Sequence, residues 1–172
     1  FQVSGGQLQR LAIASAVPFM VAPLPILPDL FTHIGRYHVM NNEADPWLSQ
    51  YYAFDWHITG NLGFDLLMVV FGPLMGTEKA AYFLAACIPP LMVLGLYRLA
   101  KAVHGYVPAA TYVALPLIWS FTFNHGFVNY WLGIALVFHV VAGWIGVRDG
   151  PAVARHLYAF AMGLLVWLCH TS

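Results

Sequence analysis

The chain has 172 residues, of which 60% are hydrophobic and 8% charged, and its mean hydropathy is +0.71. A soluble domain carries about a quarter charged residues, so this composition excludes one and describes an integral membrane protein. Seven basic and seven acidic residues balance to zero net charge without a basic patch, which excludes a nucleic-acid partner, and Cys87 and Cys169 sit inside apolar runs as small hydrophobes rather than as a disulfide framework.

Taken in chain order, "VSGGQLQRLAIA" at residues 3–14 resembles the signature loop of ATP-binding cassettes. A cassette also needs a glycine loop ending in Gly-Lys-Ser/Thr, whose lysine and backbone N–H groups cradle the triphosphate. Lys79 and Lys101 follow no such loop, and the chain runs on into "SAVPFMVAPLPILPDL". The opening is therefore a polar lead-in to a membrane segment, with Arg10 at its near end. A spanning helix takes roughly 20 apolar residues. Spans are expected near 11–27, with Pro18, Pro23 and Pro25 unwinding its far end, and near 80–97, kinked at Pro89 and Pro90. The uncharged stretch 106–147 is long enough for two more, 107–123 and 127–147, joined by a turn at "NHG". A shorter span is expected at 157–170.

The expected fold is thus all-α, a single polytopic transmembrane bundle over residues 1–172 with about five spans. Lys and Arg mark cytoplasmic ends, and Arg10, Arg98, Lys101, Arg148 and Arg155 all fall on one side of this arrangement. An outer loop, 28–61, then faces the periplasmic side of an inner membrane, and 62–76 is a re-entrant or interfacial helix. The terminal sequences read as a fragment of a longer chain, whose remaining spans and surrounding lipids are its partners.

Polar chemistry concentrates in the outer segment. A helix starting after Pro28 puts Asp29, His33 and Arg36 at i, i+4 and i+7, on one face. Such a face can hold an anionic head group through Arg36 beside a carboxylate base, while local capping and pairing by Asp29 is the plainer account. Asp29 and His33 alone do not make a metal site, because His38 points elsewhere. Farther on, "YYAFDWH" groups Tyr51, Tyr52 and Trp56 with Asp55 and His57, as an aromatic belt or a sugar-stacking surface. Asn61 reads as a helix cap, His125 and Asn124 occupy the outer turn, and His139 lies within a span, where a helix-to-helix hydrogen bond is its expected use. Gly72 and Gly76 stand at GxxxG spacing.

Three segments in order, "PLPILPDLFTHIGRYHV", "YYAFDWHITGNLGFDLL" and "NHGFVNYWLGIALVF", resemble bacterial multi-spanning membrane proteins related to the GT-C glycosyltransferases. Those proteins typically read Pro-Asp-Leu-Pro-Asn-His-Leu-Ala-Arg in the first outer loop. Here Phe31-Thr32 replaces the Pro-Asn before the histidine, and Gly60 stands where a proline precedes the later asparagine. The resemblance implies an enzyme that moves a sugar from a polyprenyl-phosphate donor to an acceptor on the outer face. It places the base, or the ligand of a divalent cation, on Asp29, and substrate contacts on His33 and Arg36. Asn61, Tyr52 and His125 are the further substrate-binding candidates. A transporter or channel subunit and a non-catalytic assembly subunit are the alternative functions.

Overall fold

In the computed structural model, residues 4–21 and 27–170 are described. Helix α1 (Gly5–Ser15) opens on a capping box: the Ser4 hydroxyl accepts from Gln7 N–H, and the Gln7 side chain accepts from Ser4 N–H at 2.8 Å. The chain breaks at Ala16 and resumes as α2 (Val17–Val21), whose second residue is Pro18. Pro18 has no N–H to give to the preceding turn, and the helix is interrupted just before it. The expected span 11–27 is accordingly divided, and its Pro23 and Pro25 lie outside the described residues.

The remaining elements are α3 (Pro28–Asn41), a short 3₁₀ turn (Leu48–Gln50), α4 (Gly63–Met75), α5 (Thr77–His104), a 3₁₀ helix (Ala109–Trp119), α6 (Phe121–Asn124), α7 (Val128–Val147) and α8 (Ala152–Cys169). Among the described residues there is no strand. Among the described residues three helices are long and apolar enough to cross a membrane: α5 with 28 residues, α7 with 20 and α8 with 18. This corrects the expected five. The segment 107–123 fails as a spanning α-helix because Pro116 lies in its middle, where an α-helix would bring the ring against the carbonyl four residues back. The chain adopts the tighter 3₁₀ winding there instead. By contrast α5 remains helical through both Pro89 and Pro90. The segment 28–61 opens with α3, the helix expected after Pro28.

Helix α5 is the hub, in contact with α1, α3, α4, α7 and the 3₁₀ helix. Ala80, Ala81 and Ala85 are fully buried along it, small residues that let neighbouring backbones approach. Farther along, Gly95 lies so close to α7 that a Cβ there would stand 2.9 Å from Phe138 and 3.2 Å from the Ala135 carbonyl. Also across this contact, His139 Nε2–H donates to the Leu91 carbonyl at 3.0 Å, and its Nδ1 accepts from Arg98. Helix α8 folds back on α7 through Tyr158, whose hydroxyl donates to the Val140 carbonyl at 2.8 Å and covers Gly143.

The first turn of α4 is held at three points. Leu62 N–H donates to the Leu168 carbonyl at 2.7 Å, Gly63 packs against Cys169, and Phe64 N–H donates to the Asn129 side chain. Helix α3 lies beside α4, with Tyr37 stacked on Phe64 at 5.8 Å and Asn41 seated over Gly72. The GxxxG glycines therefore serve different purposes, because Gly76 forms the turn into α5 at φ 85°.

Gly126 joins α3 to the start of α7. Its φ is 97°, and a Cβ there would stand 2.7 Å from Leu30 N and 3.1 Å from Asp29 N. Both the left-handed backbone and the close approach demand glycine. Gly126→Ala is expected to cost about 2 kcal/mol, from strain of this kind plus the displaced helix end. Unfolding in bicelles measures it, and a variant as stable as wild type would contradict the packing.

Candidate functional site

The first turn of α3 has no side-chain cap, and Pro28 at its start needs none for its own nitrogen. The next donor, Asp29 N–H, is satisfied from across the molecule by the His125 carbonyl at 2.9 Å. This anchor frees the Asp29 carboxylate, which turns along the helix to accept from His33 Nε2–H at 3.2 Å, one turn on. Both side chains are half-buried, with 37% of Asp29 and 19% of His33 exposed, so the pair keeps access to solvent while its charge is partly desolvated.

Asp29 and His33 form one wall of a cavity of about 380 Å³. Asn61, Thr122, Phe127, Val128, Asn129, Tyr130 and His170 complete it. Its volume is that of a small-molecule site, and its lining alternates apolar surface with hydrogen-bonding groups. Several of those groups are themselves fixed. Asn129 spans the gap between α4 and the preceding loop, accepting from Phe64 N–H at 2.7 Å and donating to the Asn61 carbonyl at 3.3 Å. Thr122 accepts from Trp131 Nε1–H at 3.0 Å. Tyr130 meets the ring of His170 edge-on at 5.4 Å.

Of the residues singled out in the sequence, Asp29, His33 and Asn61 meet in this cavity. Asn61 does so without capping α4; the cap contact comes from Asn129. Arg36 lies elsewhere. Its Nη2 stands 3.0 Å from Asp65 Oδ1, its guanidinium covers the Phe54 ring at 5.3 Å, and it lines a separate groove of about 610 Å³ with Tyr52. His125 is exposed, its ring between Phe121 and Phe127, and it serves the site through its backbone carbonyl. The aromatic stretch is largely exposed, and His57 pairs with Asp55 at 3.4 Å on the surface.

The charged centre of the α3–α4 contact is Asp65, which is fully buried. Burial pushes its carboxyl above the usual carboxylate range, while the nearby Arg36, His33 and Asn129 pull the other way. The guanidinium is within ion-pair distance, yet neither carboxylate oxygen receives an aligned hydrogen bond among the described residues. Tyr37, packed between His33 and Phe64, likewise has its hydroxyl buried without a partner there, and burial followed by the Asp65 charge pushes its phenol up. Asp65, Asn129, Thr122, Tyr130 and His170 are absent from the sequence-derived site. Asp65 and Asn129 did carry a signal, as polar residues inside otherwise apolar helices.

The donor set does not fit a protein-held divalent ion. Asp29 has one imidazole beside it, and no group of three or more His, Cys, Asp or Glu converges among the described residues. What the arrangement can do is take a proton from a hydroxyl placed in the cavity, with Asp29 as acceptor and His33 orienting the carboxylate. No family model matches the chain, and neither curated proteins nor solved structures give a significant match.

Proposed function

We propose that the chain belongs to a membrane-embedded transferase that passes a sugar from a polyprenyl-phosphate donor to a hydroxyl acceptor, with Asp29 as the base. The observation that supports this reading is the Asp29–His33 pair on the wall of a cavity that the first turn of α7 also lines. The acceptor oxygen attacks the anomeric carbon, the bond from that carbon to the phosphate oxygen breaks, and the hydroxyl proton goes to Asp29. Asn61, Asn129 and Thr122 offer the hydrogen-bonding groups that a hydroxyl-rich ring requires, and Phe127 and Tyr130 offer apolar surface.

The same reading puts α3 and the cavity on the outer face of a bacterial inner membrane. Supporting it, Arg98 and Lys101 lie in the last two turns of α5 and Arg148 and Arg155 flank the turn from α7 to α8, and the two groups share a side when the 3₁₀ helix between α5 and α7 carries the chain back across the membrane. Arg36 acts here as the partner of Asp65 and not as a ligand of the cavity.

Full-length protein in membrane vesicles, given a labelled polyprenyl-phosphate hexose, tests the reading. Asp29→Asn is expected to lower transfer about a hundredfold, the usual scale for removing a positioned base, with normal yield and folding. Transfer at the wild-type rate in that variant would overturn it.

A further inference from the structure

The groove of about 610 Å³ that Arg36 lines runs between α3 and the segment 48–55, and it shares no residue with the Asp29 cavity. Its half-buried residues are apolar, Val39, Leu48 and Phe54, while Thr32, Arg36, Tyr52 and Asp55 are open to solvent. Phe54 is fixed between the Arg36 guanidinium and Trp56, which meets it in a T-shaped contact at 5.0 Å. Tyr52 is 62% exposed and tied by its N–H to the Leu48 carbonyl at 2.9 Å, and its ring pairs with no other ring among the described residues. Arg36 meets Asp65 by charge and makes no aligned hydrogen bond among the described residues, so its donors remain available on the exposed side. Asp55 is 80% exposed and paired only with His57.

Charge decides which ligand this suits. Asp55 in the lining balances Arg36, and Asp65 on α4 claims part of the same guanidinium. His38 Nδ1 accepts from the Asn42 side-chain amide at 3.4 Å, as an uncharged imidazole does. An anionic head group therefore meets no surplus of positive charge. A neutral sugar needs something else, a donor and an acceptor for neighbouring hydroxyls and a flat apolar surface for its C–H face.

We propose that this groove binds a neutral saccharide, with Tyr52 as the stacking platform and Arg36 and Asp55 as donor and acceptor to its hydroxyls. The inference goes beyond the transferase reading and does not rest on it, because the groove and the Asp29 cavity are lined by different residues. All three side chains are open to solvent, so a ligand reaches them without opening the fold.

The test is retention of the full-length protein, in nanodiscs, on an array of neutral oligosaccharides of glucose, galactose, mannose and N-acetylhexosamines, with sulfated and uronic-acid glycans beside them. Wild type is expected to be retained on at least one neutral class, and no more strongly on its charged counterparts. On that glycan Tyr52→Ala is expected to bind about tenfold more weakly, the upper range for a lost aromatic contact, and Tyr52→Phe to stay within about threefold because the flat ring is kept. Asp55→Ala is expected to lose about tenfold, the scale of one hydrogen bond to a charged group. Retention on none of the neutral glycans overturns the assignment and leaves Tyr52 in an interfacial belt. Tighter binding of the charged glycans overturns it too, as does a Tyr52→Ala variant that binds like wild type. Should a variant fail to fold, saturation transfer from the aromatic protons of wild type to the C–H protons of the bound glycan replaces it, and no transfer overturns the site. Asp29→Asn is expected to leave glycan binding unchanged. If that variant also transfers sugar normally, the transferase reading falls and the groove stands; transfer lost in Asp29→Asn with no glycan bound by wild type removes the groove alone.

Discussion

Replacing Arg36 by Met is expected to destabilise the protein more than any other single change considered, by about 3 kcal/mol, the lower end of the range for stripping a buried charge of its partner. The reason is an asymmetry in burial. Asp65 is fully enclosed, whereas 40% of the Arg36 side chain is exposed. Without Arg36, the carboxylate stays behind with no cation. Without Asp65, the guanidinium keeps Phe54 beneath it and reaches water, so Asp65→Asn is expected to cost only about 1 kcal/mol. The double variant Arg36→Met with Asp65→Leu should recover most of the loss, as apolar replacements of buried pairs commonly do.

The same pair has a signed pH dependence. The folded state holds the Asp65 proton to higher pH than the unfolded chain does, because burial raises its carboxyl. Its contribution to stability is full below the unfolded carboxylate range and is lost as pH rises through the raised folded value. Arg36 lowers that value, so in Arg36→Met it climbs further, and the gap to wild type widens as pH rises. Unfolding of both proteins in bicelles across the acidic range checks the sign. A gap that narrows with rising pH would show that Arg36 does not stabilise the charged carboxylate.

Asn129→Ala is expected to cost about 2–3 kcal/mol, because it strips two backbone groups at once. Phe64 N–H loses its acceptor and the Asn61 carbonyl loses a donor, and Phe64 itself is fully buried. Asn129→Asp sharpens the point. It keeps an acceptor for Phe64 N–H but removes the donor and brings a second carboxylate near Asp65, so it should do no better than alanine, and worse as pH rises. The same unfolding measurement decides it; an Asp variant as stable as wild type would mean that Asn129 acts only as the acceptor and that Asp65 is protonated.

The parts of the fold that could be read from sequence were those written in local spacing. An uncharged run ending at Val147 is α7, and Asp29 and His33, four apart behind a proline that favours helix starts, do meet on one turn. Apolar length alone misjudged 107–123, where the position of Pro116 decides between α and 3₁₀ winding. Arg36 lies apart from Asp29 and His33 for another reason. Spacing places it on the face of Asp29, but its long side chain pairs with the buried carboxylate within reach, and that carboxylate belongs to α4. His170 and Asn129 joined the cavity only through the packing of α7 and α8 against the start of α4, a contact between residues more than sixty positions apart. No local pattern encodes it.

The bond from Asp29 N–H to the His125 carbonyl also sets a schedule for biosynthesis. The first turn of α3 has no cap of its own, so it stays unfinished in the nascent chain until the turn before α7 has left the ribosome, about a hundred residues and roughly 5–20 s later at ordinary rates of synthesis. Throughout that interval Asp29 cannot be held in its working orientation. The cavity wall is therefore assembled late, from segments about a hundred residues apart in the chain.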